Sequence, residues 1–188
     1  MKTLLYATTN DYKLSAANLA LSNHGILLTK LPIDIPEVIE IQADSQEQVA
    51  THKAKQYYEL LKQPLVAMDF GFFIEGLGGF PGPYTKYAND TIGVNGLIRL
   101  TRELDDQRAY AMRTIAYIDS HELKVFSYNC PGEILLVSRG ESSRGFDTIF
   151  RVDATGRTLA EMTEEEKADT SGHAWWQLGD WLQSKNEI

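Results

Sequence analysis

The stretch Ala67-Met-Asp-Phe-Gly-Phe-Phe-Ile-Glu-Gly-Leu-Gly-Gly-Phe-Pro-Gly-Pro-Tyr84 decides how this chain is read. It enters as a short buried strand, residues 65–69, that ends on one carboxylate, Asp69. A second short apolar piece follows, then a loop with glycines at 76, 78, 79 and 82 and prolines at 81 and 83. A bare charge on an apolar strand is costly unless it is paired or bound to a metal. A Gly- and Pro-rich loop beside it lets backbone approach a ligand closely. A carboxylate over such a cleft suits a hard cation and phosphate chemistry.

Upstream, residues 4–8 read as a buried strand, and residues 12–24 carry Leu14, Ala17 and Leu21 at helical spacing before Gly25 as a stop. Residues 26–31 return to strand, and Pro32 and Pro36 break regular structure. Ser45-Gln-Glu-Gln48 is a capping-box pattern that opens a helix to about residue 62. Downstream, residues 94–104 read as a helix, residues 109–119 and 123–128 as a hairpin, and residues 133–137 as another short strand. Residues 138–144 form a polar loop. Thr163-Glu-Glu-Glu166 is a second capping box, so that acidic run reads as a helix start favoured by the dipole. The last helix, residues 174–184, places Trp175, Leu178 and Leu182 on one face, which makes the C-terminal tryptophans core or interface residues. The order βαβ, α, β, hairpin and helices predicts an α/β fold with a mixed sheet, in one domain over residues 1–188.

Two further segments carry charge chemistry, the first suited to an anion and the second to a cation. Ala7-Thr-Thr-Asn-Asp-Tyr-Lys13 joins a strand to a helix, where free N–H groups and the dipole favour negative charge. Thr8, Thr9 and Asn10 add donors and Lys13 a full charge, although Thr and Asn in that place also serve simply as caps. Glu37 and Glu40 precede the second helix and Lys53 lies within it; Asp69 with one of these glutamates would offer oxygen ligands to Mg²⁺. His24, His52, His121 and His173 lack metal-ligand spacing, which argues against zinc.

Bulk properties narrow the partners. A net charge of −8 argues against a nucleic-acid polymer, but not against a small polyanion held by a metal and a few lysines. The single Cys130, expected at a turn in Tyr-Asn-Cys-Pro-Gly, excludes an internal disulfide framework and fits a reducing compartment. No apolar run approaches the ~20 residues of a membrane span, and the first residues lack a signal-peptide core, so a cytoplasmic location is expected.

These motifs, in this order, resemble the Ham1 or inosine triphosphate pyrophosphatase family nearly end to end. Ala7-Thr-Thr-Asn10 with Lys13 resembles the family's Thr-Gly-Asn-x-x-Lys, and Glu40-Ile-Gln42 with Lys53-Ala54 its Glu-Ile-Gln and Lys-Ala. Asp69-Phe-Gly71 and Leu77-Gly-Gly-Phe-Pro-Gly-Pro-Tyr84 resemble its Asp-Ser-Gly and Leu-Gly-Gly-x-Pro-Gly-x-Tyr. Arg139-Gly140, Gly145-Phe-Asp147, Ala160-Glu-Met162 and Glu166-Lys167 follow the closing motifs. The resemblance implies an elongated central mixed sheet with flanking helices, in two lobes around an active-site cleft. It implies a Mg²⁺-dependent nucleoside triphosphate pyrophosphohydrolase that clears deaminated purine or otherwise modified nucleotides, and a homodimer. It assigns Glu40 and Asp69 to the metal, with Asp69 also orienting or deprotonating water. Lys13, Lys53 and Lys167 match phosphate-binding lysines; Thr8 and Asn10 would cradle the triphosphate, and Phe146, Asp147 and His173 fall in the nucleoside pocket.

The departures concentrate on the base side. The family's Ser-His-Arg is Ser171-Gly172-His173 here, the Phe that stacks on the base is Arg144, and Asn, Pro and Glu of the motifs become Ala168, Thr148 and Ala16. On the phosphate side, Gly becomes Thr9, an acidic residue becomes Met68 and Ser becomes Phe70. A site that loses its base-edge donors loses discrimination, so hydrolysis with a changed or relaxed base preference is expected. A nucleotide-binding or regulatory protein with little turnover is the alternative.

Overall fold

The structure, a computed structural model, describes residues 2–142 and 144–185. Six strands form one mixed sheet in the order β2-β1-β3-β4-β5-β6. The parallel part comprises β1 (Lys2–Tyr6), β2 (Ile26–Lys30) and the start of β3 (Leu65–Ile74). From there β3 pairs antiparallel with β4 (Arg108–Ile118), β4 with β5 (Leu123–Ile134), and β5 with the short β6 (Phe150–Val152). Helices α1 (Asp11–Ala20), α2 (Gln46–Leu61), α3 (Thr85–Thr91), α4 (Gly93–Thr101), α5 (Glu164–Ser171) and α6 (His173–Ser184) flank it. Among the described residues no helix is long and apolar enough to cross a membrane.

One mismatch in strand length creates the cleft. β1 contacts β3 only at Leu5↔Leu65 and Tyr6↔Val66, whereas β3 runs on to Ile74 against β4. Past Val66 the β1-side edge of β3 is therefore open until Phe72 and Phe73, where Thr85 and a bridge to Pro81 take it up. One apolar cluster, with α1 and α6, packs around β1, β2 and the near halves of β3 to β5. Another, with α4 and β6, packs around their far halves. A third, under α2, covers the opposite face. Alternation along β3 sends Met68, Phe70 and Phe72 to the α1/α6 side and leaves Leu65, Ala67, Asp69 and Gly71 on the α2 side.

Several expectations need correction. Asp69 does not end a strand: residues 70–74 continue β3, because β4 pairs with it from Leu65↔Ile118 through Ile74↔Ala109. Cys130 is not at a turn. It is buried within β5, which continues through Pro131 into the first part of the expected strand 133–137. Pro131 is tolerated because its nitrogen faces the β6 side with its carbonyl, which accepts the Asp153 N–H (3.1 Å), beyond the Gly132↔Val152 end of the β5–β6 ladder, so no bond to β4 is lost. The polar α3 and the three-residue β6 carry too little periodicity to be seen in sequence. The terminators read as expected: Gly25 is left-handed (φ 66°), Ser45 Oγ accepts the Gln48 N–H (3.2 Å), and Thr163 with Glu166 forms a complete capping box.

The glycine loop closes back on β3. Thr85 Oγ1 donates to the Gly82 carbonyl (2.7 Å) and accepts the Phe72 N–H (2.8 Å). A Cβ on Gly71 would lie 2.3 Å from the Gly82 carbonyl oxygen, so only glycine permits this approach. Gly82 itself is left-handed, at φ 54°.

Candidate active site

Asp69 sits on the open edge of β3, facing α2. Its Oδ2 is buried without a hydrogen-bond partner. Burial first, and the neighbouring Glu40 charge second, push its carboxyl up to about 6; the Phe70 N–H, Lys13 and Lys53 hold it back. Gln56 of α2 donates to the Ile39 carbonyl (2.7 Å), which pins the loop bearing Glu40 beside Lys53. Lys53 Nζ is 3.7 Å from the Glu40 carboxylate. Of the two candidate glutamates, Glu40 is the one felt electrostatically by Asp69.

The turn from β1 to α1 supplies the opposite wall. Asn10 is the N-cap, its Oδ1 accepting the Lys13 N–H (3.2 Å), and its own N–H binds Thr8 Oγ1 (3.2 Å). The side chain of Lys13 enters the cleft, where enclosure by protein and then the Lys53 charge lower its ammonium pKa. Lys13, Lys53, Glu40 and Asp69 thus form one coupled group of two cations and two carboxylates.

Next to it, on the other side of β3, lies a cavity of about 410 Å³, the size of a small-ligand site. Asn10, Lys13, Phe146, Asp147 and Lys167 all line it, so five of the expected substrate residues converge. Phe146 is buried in the 3-10 turn Gly145–Thr148 and meets Phe72 (6.2 Å between ring centroids). Asp147 is buried, and burial raises its carboxyl while Arg144 and Lys167 oppose the rise. Met68 and Phe70 line this cavity as well, so these departures lie across the strand from Asp69 rather than beside it.

Arg144, in place of an aromatic, is engaged. Its Nε pairs with Asp147 (2.9 Å) and its guanidinium lies 3.9 Å from the centre of the Tyr12 ring. The Tyr12 hydroxyl in turn donates to Glu164, which pairs with Lys167 (2.8 Å). His173 does not line the cavity. It stacks on Tyr128 (4.2 Å) and leans against Trp176 (4.4 Å), while Gly172 lines the cavity with bare backbone. Trp175 is a core residue that also forms part of the cavity wall.

Sequence reasoning missed Tyr12, Glu164 and Arg113 as cavity residues. Arg113 had a usable signal. It is a lone cation at an inward position of the alternating strand Arg108–Ile118.

The donor set fits a hard cation. Two carboxylates converge and one buried oxygen is without a partner, which suits an ion that keeps waters and takes phosphate oxygens. Among the described residues no cluster of three or more His, Cys, Asp or Glu is arranged to hold a metal.

Comparison with known proteins agrees with this geometry. The model of the Ham1 family matches residues 4–176. A dITP/XTP pyrophosphatase from Hyperthermus butylicus is 36% identical over 183 residues, 96% of this chain and 95% of that protein. Inosine triphosphate pyrophosphatase 2 from Trypanosoma cruzi is 37% identical over 169 residues, 89% of this chain and 84% of that protein. Among solved structures, a HAM1 protein from Coxiella burnetii superposes with a TM-score of 0.87 at 23% identity, covering 98% of this chain and all of that one, a likeness of fold.

Proposed function

The chain belongs to the Ham1 family, and on that premise we propose that it is a nucleoside triphosphate pyrophosphohydrolase that removes non-canonical nucleotides. The reaction is triphosphate plus water to monophosphate plus pyrophosphate. The observation that carries the reading is the position of Asp69: a buried, unpartnered carboxylate oxygen that feels two lysines and Glu40, across β3 from a cavity of nucleoside size that Lys13 also lines.

Each residue then has a task. The base and ribose enter the cavity between Phe70, Phe146 and Trp175, and the triphosphate runs out along the α1 N-terminus toward Asp69. Lys13, Lys53 and Lys167 neutralise the chain of phosphates, and the free N–H groups behind Asn10 add donors. Asp69, ionised above pH ~6, orients a water for attack on the α-phosphorus and accepts its proton as pyrophosphate leaves. Glu40 and Asp69 would hold Mg²⁺, which when bound withdraws charge from the phosphate oxygens and acidifies water.

Pyrophosphate release with Mg²⁺ across a panel of canonical, deaminated and modified nucleoside triphosphates tests this reading. Release of orthophosphate, or no release from any substrate, refutes it. Tight triphosphate binding without turnover would instead make the chain a nucleotide-binding protein.

A further inference from the structure

The centre of β4 carries a cation into an apolar wall. Arg113 stands opposite Phe70 of β3 and Tyr128 of β5, on the face that also holds Met68, Phe72, Ile115 and Phe126. Its guanidinium lies 5.7 Å from the centre of the Phe70 ring. Nη1 donates to the Ser171 carbonyl and approaches Ser171 Oγ at 3.4 Å. Its Nε is buried with no acceptor, and so is the hydroxyl of Tyr6, with which Arg113 interacts electrostatically. No carboxylate pairs with Arg113 among the described residues.

A buried guanidinium without a counter-ion is costly, and enclosure by protein lowers its pKa from the ordinary value. Most buried arginines meet that cost with a carboxylate. Here the side chain lines the cavity instead, beside Met68, Phe70, Gly172 and Trp175. Gly172 offers no side chain there, and His173 has turned onto Tyr128 and Trp176. Ser171, the one polar side chain of the helix end on this wall, already donates its hydroxyl to the Lys167 carbonyl (2.8 Å), whereas the strand brings Arg113 with a donor left over.

The ligand chemistry follows from the donor count. Guanidinium has only donors. It matches an edge with two acceptors, such as the O6 and N7 of a 6-oxopurine, and opposes the exocyclic donor of a 6-aminopurine. Resting on the pyrophosphohydrolase reading above, we infer that Arg113 is the base-reading residue of this site and that it selects 6-oxo over 6-amino purine nucleotides.

The test is kcat and KM for pyrophosphate release from inosine and adenosine triphosphates, for the wild type, Arg113→Met and Arg113→Lys. The expected result is a ten- to hundredfold loss in kcat/KM for the 6-oxo substrate, mainly through KM, with the 6-amino substrate changed less than threefold. Arg113→Lys keeps the charge without the fork, so its preference falls between the two. If both substrates lose activity in proportion, Arg113 is a structural residue and the inference is overturned. If Arg113→Met does not fold, the same ratio in Arg113→Lys decides. Should the wild type hydrolyse no triphosphate, the functional reading fails separately. Titration of the wild type and Arg113→Lys with inosine and adenosine monophosphates then decides on Arg113: an unchanged preference overturns it.

Discussion

Replacing the proposed catalytic carboxylate should make the metal-free protein more stable. Burial and Glu40 raise Asp69 from 3.8 to about 6. The native state therefore binds a proton that the unfolded chain has already released above pH ~4. Stability contributed by protonated Asp69 is complete below pH ~4 and is lost as pH rises through about 6. Two pH units correspond to about 3 kcal/mol. Asp69→Asn is neutral throughout and escapes that loss, less the cost of its own partly satisfied amide, so a gain of about 2 kcal/mol at pH 8 is expected. For a chain of this size that is about 4–8 °C in Tm. The assay is calorimetry in EDTA from pH 4 to pH 8, with pyrophosphate release measured in parallel. The gap should close toward pH 4, Mg²⁺ should stabilise the wild type more than the variant, and turnover should fall at least a hundredfold. A variant no more stable than the wild type at pH 8, or a gap independent of pH, would refute the strained-carboxylate account.

Gly71→Ala should cost about 1–3 kcal/mol in urea unfolding, because its Cβ meets the Gly82 carbonyl at 2.3 Å, and should lower turnover by displacing the Thr85 clasp. Lys53→Met should raise KM for a triphosphate far more than for the matching monophosphate product's inhibition constant, a split that steady-state kinetics with product inhibition reads directly. Arg144→Ala removes the counter-charge that holds Asp147 down, so the already raised Asp147 moves higher. The variant should lose about 1 kcal/mol, more at pH 8 than at pH 5, in denaturation curves at the two values. Cys130, buried and with its thiol pushed up to about 11, should react with a disulfide reagent at pH 8 only on unfolding.

What was legible in sequence is what rests on local physics. Capping residues, the Gly25 stop and the alternation of the strands come from backbone chemistry within a few residues, and they are found nearly in place. The family likeness came from ordered short motifs, the glycine loop of residues 77–84 among them. What was illegible depends on partners distant in sequence. β5 passes through Cys130-Pro-Gly132 because β4 pairs along its whole length, and no local signal overrides a Pro-Gly turn pattern. The stacking of His173 on Tyr128 depends on where α6 crosses β5. Arg113 could have been found, since a charge inside an alternating apolar strand is a cost awaiting a reason.

The placement of Met68 and Phe70 changes how the departures are weighed. Grouped by sequence with Asp69, they fall on the phosphate side. The pleat separates them: Asp69 and Gly71 project toward α2 and the glycine loop, while Met68, Phe70 and Phe72 project toward α1, α6 and the cavity. One strand thus carries two residue sets on a period of two, one facing Glu40 and Lys53 and the other the cavity. The Asp-x-Gly pair of the family motif persists on the first set, and both substitutions fall on the second. Arg113 belongs to that second set too, directly opposite Phe70. Replacing a polar residue by Phe70 gives the neighbouring guanidinium an aromatic face in place of a hydrogen-bonding partner. Phe70 and Arg113 therefore act as one unit on the cavity face, and a Phe70→Ser variant should alter base preference through Arg113 while leaving hydrolysis of the preferred substrate at a similar kcat. A collapse of kcat with preference intact would place Phe70 on the chemistry side and break the division between the two faces.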